Sequence, residues 1–157
     1  MRFIAFDQSS NVTGWSLWQD GRLIEHEMID LKKEKNSEKR FAEMVLRIYK
    51  VIRATNPSLV VIEEVAQQQN VLTVKVLARL QGAIIGYCTA HSIAVKIVEP
   101  SHWRSVLEFQ QGRGVKREDL KWQALDYVRK TFGLQLPEDM AEAVCIGAAH
   151  IEETNKY

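Results

Sequence analysis

Asp7, Glu63, Asp139 and Glu142 are the residues of this chain whose type and placement could do chemistry together. Asp7 closes the apolar run Phe3 to Phe6, and Glu63 closes the β-branched and leucine run Leu59 to Ile62. Strand ends at the rim of a sheet are where sites are built. Asp139 and Glu142 lie three apart just after Pro137, so on a helix they share one face and can reach a common point. If that helix packs on the rim, four carboxylates converge, and their repulsion is tolerable only with bound cations. Oxygen-only donors select Mg²⁺ or Mn²⁺ over zinc. Two such ions suit phosphodiester hydrolysis, one generating hydroxide from water and the other stabilising the leaving 3′ oxygen.

Each acid also has an ordinary explanation. Acids after Pro137 are favoured by the dipole of a helix start. Asp7 could accept hydrogen bonds from the Ser9 and Ser10 turn, and Glu63 could be a plain strand-end acid. Glu64 competes with Glu63, but alternation along a strand sends neighbours to opposite faces, so only one of the two faces the site.

The elements that must position these acids follow from the hydrophobic pattern. Arg2 to Asp7 reads as a buried strand, Val12 to Gln19 as a second, and Arg22 to Ile29 as a third, with Asp20-Gly21 as the hairpin turn. Together they form an antiparallel meander. Phe41, Val45, Ile48 and Ile52 have the spacing of one buried helix face, and Asn56-Pro57 ends that helix. Leu59 to Ile62 reads as a central strand covered on both sides. After a glutamine-rich turn at 67–69, Val71 to Ala90 is a long helix apolar nearly all round, and it needs two partners. Ile93 to Val98 is the last strand. Helices follow at Pro100 to Leu107, Val115 to Phe132 and Pro137 to Glu153. The pattern predicts one α/β domain over residues 1–157, with a mixed sheet flanked by helices.

Composition narrows the surroundings. A formal net charge of +1 gives no global sign of a polyanion partner, so any nucleic-acid surface must be local. Arg113, Lys116, Arg117 and Lys121 form such a local group around Gly112-Arg113-Gly114, a loop able to approach a phosphate backbone closely. The ordinary reading is a solvated helix face. Cys88 and Cys145 sit in apolar helical patterns, as buried free thiols of a reducing, cytoplasmic compartment would. No signal-peptide pattern opens the chain, and no apolar stretch reads as long enough to span a bilayer. The histidines, His26, His91, His102 and His150, show no metal-ligand spacing and read as surface or structural residues. Trp122 falls opposite the core face of its helix, set by Leu120, Ala124, Tyr127 and Val128, as an exposed ring free to stack on a base or a partner.

The run Phe6-Asp7-Gln8-Ser9-Ser10-Asn11-Val12-Thr13-Gly14-Trp15 resembles the opening of RuvC-type Holliday junction resolvases. Val61-Ile62-Glu63-Glu64-Val65 is similar to their isoleucine-glutamate strand end, and Asn70 with Leu77 to Gly82 to their next helix. Glu99-Pro100, Gly112-Arg113-Gly114 with Lys116, and Pro137-Glu138-Asp139-Met140-Ala141-Glu142-Ala143 resemble the remaining motifs in the correct order. The resemblance implies an RNase H-like fold with a five-stranded sheet. It implies Asp7, Glu63, Asp139 and Glu142 as catalytic metal ligands for Mg²⁺, two ions per site, with Mn²⁺ able to substitute. It also implies a homodimer, formed through helix 71–90, that makes paired nicks across branched DNA. Glu142 stands where cellular members usually carry aspartate. Ala66 and Gln67 to Gln69 stand where they place an aromatic. These differences point to a phage-type member, at work in the host cytoplasm.

Other classes make different demands. An actin-like ATPase or sugar kinase also opens with a strand, an aspartate and a polar turn, but needs a second nucleotide-binding half and a later glycine-rich loop, which this sequence lacks. A nuclease of the same fold acting on RNA or single strands would show the same acids. A non-catalytic junction-binding protein would have no use for all four.

Overall fold

The computed structural model of the chain describes every residue except Gln68 and Gln69, so those positions of the expected glutamine-rich turn lie outside the described residues. In chain order the elements are β1 (Arg2–Asp7), β2 (Val12–Gln19), β3 (Arg22–Asp30), α1 (Ser37–Thr55), β4 (Leu59–Glu63), α2 (Val71–Ala90), β5 (Ala94–Val98), α3 (Pro100–Val106), α4 (Arg117–Phe132) and α5 (Glu138–Thr154). The five strands form one sheet in the order β3-β2-β1-β4-β5. The first three are an antiparallel meander, and β4 and β5 join it in parallel. The predicted hairpin is present, with Asp20 and Gly21 at φ values of 50° and 79°. This is the RNase H-like architecture expected of the chain.

Two apolar layers lie on opposite faces of the sheet, and side-chain alternation decides which residue serves which. Ile4 and Phe6 of β1 and Val60 and Ile62 of β4 pack against α1 and α2. Phe3, Ala5 and Val61 face the other way, towards α5 and α4. The buried stripe of α1 is Met44, Ile48 and Ile52, with Phe41 and Val45 only partly covered. Asn36 caps this helix, its side chain accepting from Lys39 N at 3.0 Å. α4 starts at Arg117, two residues later than the pattern predicts, because Lys116 N–H donates to Asp119 Oδ2 at 2.8 Å and ends the loop there.

The two apolar helices differ in a way their hydrophobicity alone does not show. α5 is buried on nearly all sides, its middle being Ala143, Val144, Cys145, Ile146, Gly147, Ala148 and Ala149. Small residues let it press against β2 and β1 on one side and α4 on the other. At Gly147 an added Cβ would lie 2.0 Å from Trp18 Nε1, so only glycine admits the indole. That indole donates to Ser16 Oγ at 2.8 Å, and the serine donates in turn to Ala143 O at 2.7 Å, a buried chain tying β2 to α5. α2, by contrast, buries only Leu80, Ile84 and Cys88 and leaves its other face open. By length and composition α2 is apolar enough to cross a membrane, which corrects the expectation that no stretch is. Here it packs on α1 and β5 instead. Both cysteines are buried and free, and burial pushes the Cys88 thiol up to about 11.

Candidate active site

Strand alternation that sends Phe3 and Ala5 towards α5 sends Asp7 the same way, and Val61 and Glu63 follow on the neighbouring strand. Parallel pairing of Phe6 with Ile62 brings the two strand ends level. Asp139 and Glu142 arrive from the first turns of α5. All four line one cavity of about 360 Å³ at the sheet rim, together with Ser9, Leu77, Pro100, Arg104, Arg117, Lys121 and Glu138.

What lets α5 come so close is Gly14. It pairs with Asp7 across the β1–β2 ladder, and a Cβ there would stand 2.0 Å from the Asp139 carbonyl oxygen. The missing side chain makes the space in which the helix start rests beside the aspartate.

Asp139 and Glu142 do stand at a helix start, where acids are favoured in any case, but the alternatives for the other two acids lose ground. Within the turn, Ser9 Oγ donates to Val12 O at 2.6 Å and Thr13 Oγ1 donates to Ser9 O at 2.8 Å, so these two hydroxyls serve the turn itself rather than Asp7. Glu64 turns away, as strand alternation requires. It accepts from Gln81 Nε2 of α2 at 2.9 Å and lies outside the cavity. Glu63, in contrast, accepts from Trp103 Nε1 at 2.7 Å.

Burial first, and neighbouring acids after it, raise the proton affinity of Asp7, Glu63 and Asp139. Burial, followed by the charges of Glu142, Glu63 and Asp139, holds the Asp7 carboxyl well above the usual range. Burial also lifts Glu63 to about 7, against the opposing pull of the Trp103 hydrogen bond and the Arg104 charge. Asp139 is raised by burial and by Glu142 and Glu138, with Lys121 acting in the other direction. A site that resists ionisation in this way is one that a cation would relieve. The donor set consists of oxygens alone and fits a hard divalent ion such as Mg²⁺. Among the described residues no three candidate ligands are drawn together into a formed shell, so the fit is one of donor chemistry and a shared cavity.

Of the basic residues marked in the sequence, Arg117 and Lys121 line the cavity. Lys121 is ion-paired with Glu138 at 2.9 Å. Arg113 lies exposed in the loop between Gly112 and Gly114, whose φ values are 98° and 84°, and Lys116 is exposed at the start of α4. Neither lines the cavity. Trp122 is 62 % exposed, as its place on the wheel predicts.

Three site residues escaped the sequence reading. Gln8 joins the two strand ends, donating from Nε2 to Glu63 O at 2.7 Å and accepting from Glu63 N at 3.2 Å. Trp103 holds the Glu63 carboxylate. Arg104 lines the cavity and lies over the Trp103 ring at 5.1 Å. A signal for Arg104 was present: it follows Pro100 by four residues in a short helix, so the two share a face, and both line the cavity.

The sequence model of a family described as crossover junction endodeoxyribonuclease RuvC matches residues 4–150. No curated protein sequence matches the chain. Among solved structures, RuvC of Thermus thermophilus in complex with a Holliday junction substrate is similar with a TM-score of 0.77 at 17% identity, over 99% of this chain and 96% of that one. The fowlpox virus resolvase in complex with Holliday junction DNA follows with a TM-score of 0.68 at 15% identity, over 98% and 99% of the two chains. The yeast mitochondrial Holliday junction resolvase gives 0.60 at 16% identity, over 99% of this chain and 81% of that one. At these identities the structural likeness speaks for the fold.

Proposed function

The chain belongs to the RuvC family of crossover junction endodeoxyribonucleases, and on that footing we propose that it is a Mg²⁺-dependent Holliday junction resolvase acting as a homodimer. The observation that carries the reading is the convergence of Asp7, Glu63, Asp139 and Glu142, from three separate elements, on one cavity that also holds Arg104 and Arg117. The four acids are the proposed ligands of two Mg²⁺ ions, which Mn²⁺ would replace. When bound, the ions neutralise the phosphate charge and make water acidic enough to act as a nucleophile.

The chain's own residues divide the remaining work. Arg104 and Arg117, which line the same cavity as the acids, meet the phosphodiester with positive charge. Arg113, Lys116 and Lys121 continue that charge outwards along the duplex and contact phosphates without reading sequence. Lys121 exchanges its Glu138 partner for a phosphate when DNA arrives. The dimer is proposed to form through α2, whose outer face has no partner among the described residues: Val71 and Leu72 are 63% and 71% exposed, and Gly82 and Gly86 face open space. A second copy of the same helix suits such a face, because a two-fold axis pairs a patch with itself. Two active sites related by that axis would nick two strands of a four-way junction symmetrically.

The test is incubation with a synthetic four-way junction and with linear duplex, in Mg²⁺ or in EDTA, for the native chain and Asp7→Asn. Expected are paired nicks in the junction only, abolished by EDTA and lowered at least a thousandfold by the substitution. A native chain that leaves junctions intact in Mg²⁺ is no resolvase, and cutting that persists in Asp7→Asn removes that residue from the site.

A further inference from the structure

Trp103 is 1% exposed and lies on α3, beneath the rim that carries the acids. Its Nε1 donates to Glu63 Oε2 at 2.7 Å. An indole has one donor and no acceptor, so this bond has a single possible sense. The ring is held in turn: Phe109 meets it edge-on with centroids 5.7 Å apart, and the Arg104 guanidinium lies 5.1 Å from its centre. The Glu63 peptide is fixed independently by the two hydrogen bonds to Gln8. Backbone and one carboxylate oxygen are thus committed, while among the described residues Oε1 accepts no hydrogen bond.

The chemistry of the donor matters as much as its place. A lysine or arginine bonded to Oε2 would neutralise the charge that a divalent ion needs from this ligand. A neutral N–H fixes the carboxylate and leaves its charge intact. Partners that orient a ligating group are worth about 10–100-fold in metal affinity.

We infer that Trp103 is a positioning residue for metal capture, holding Glu63 by Oε2 so that Oε1 is the oxygen left for a divalent cation. This inference rests on the Mg²⁺ reading above, and the following experiment separates the two. Mn²⁺ binding to the full chain is followed by the electron paramagnetic resonance signal of the free ion, with no DNA and no turnover. Trp103→Phe keeps an aromatic ring against Phe109 while removing the donor, together with one ring of buried volume. Its dissociation constant for Mn²⁺ is expected to rise about tenfold or more, with a native circular dichroism spectrum in EDTA and a melting temperature lowered by the lost ring volume. A folded Trp103→Phe that binds Mn²⁺ as tightly as native overturns the inference and spares the metal reading, whereas a native chain that binds no Mn²⁺ overturns both. Should the variant not fold, the native chain decides: the Trp103 indole N–H resonance must shift on addition of Mg²⁺ and stay in place in Glu63→Gln. An indole that ignores the ion sinks the proposal.

Discussion

A glutamate that titrates near 7 has a consequence for stability that can be measured without substrate. Glu63 stands at about 7 in the folded chain against 4.5 for an ordinary glutamate. Between those values the folded form keeps a proton that the unfolded form has released. Stability in EDTA therefore falls as pH rises from about 5 to about 8, by on the order of 3 kcal/mol from this group. Glu63→Gln stays neutral throughout and removes that slope. Its melting temperature in EDTA is expected to match the native value near pH 5 and exceed it near pH 8, and melting curves that run parallel across this range would contradict the assignment. The same substitution should abolish the rise in melting temperature that Mg²⁺ gives the native chain, since a ligand that binds only the folded form stabilises it. Legibility at this scale was uneven. Asp7, Glu63, Asp139 and Glu142 announced themselves by charge at the ends of apolar patterns. Gln8 and Trp103 did not, because a glutamine after a strand and a tryptophan in a short helix have no pattern of their own until the strand ends are seen side by side.

At the scale of elements, the site depends on how closely α5 approaches β2. Gly14 sets that distance, with the Asp139 carbonyl where its Cβ would be. Gly14→Ala must push the helix start away from Asp7, and overpacking of this kind costs about 1–3 kcal/mol. Gly147→Ala is the matched control, colliding with Trp18 along the same helix but away from the cavity. Both variants should melt earlier, while junction cleavage at a temperature where each is folded should fall at least tenfold in Gly14→Ala and far less in Gly147→Ala. Equal losses would mean that the contact at Gly14 has no special bearing on the acids. The elements themselves were readable from periodicity, including the meander, the two later strands and the hairpin at Asp20-Gly21. Their ends were less so: the α4 start depends on a side-chain cap at Asp119, and caps are a matter of rotamers rather than pattern.

For the whole molecule the open question is what covers the outer face of α2. An exposed apolar helix face in water is costly at about 25 cal/mol per Å², and a second copy is the proposed cover. Native chain should sediment as a dimer at micromolar concentration. Leu72→Asp, at a position 71% exposed and hence free of any role in the core, should sediment as a folded monomer with unchanged circular dichroism and lose paired nicking. A monomeric native chain, or a Leu72→Asp dimer, would exclude this face.

Taken by itself, the sequence determined the elements, the order in which they occur and the four acids, because hydrophobic period and charge are properties of neighbouring residues. It could not say which of two apolar helices is enclosed. Only packing decided that α5, rich in alanine, is clasped between sheet and α4, while α2, the more apolar of the two, keeps an exposed face. Nor could it say that the acids meet. A parallel strand pairing brings Asp7 level with Glu63, and the antiparallel partner of Asp7, Gly14, lacks the Cβ that would keep Asp139 away, contacts that exist only once the chain has folded.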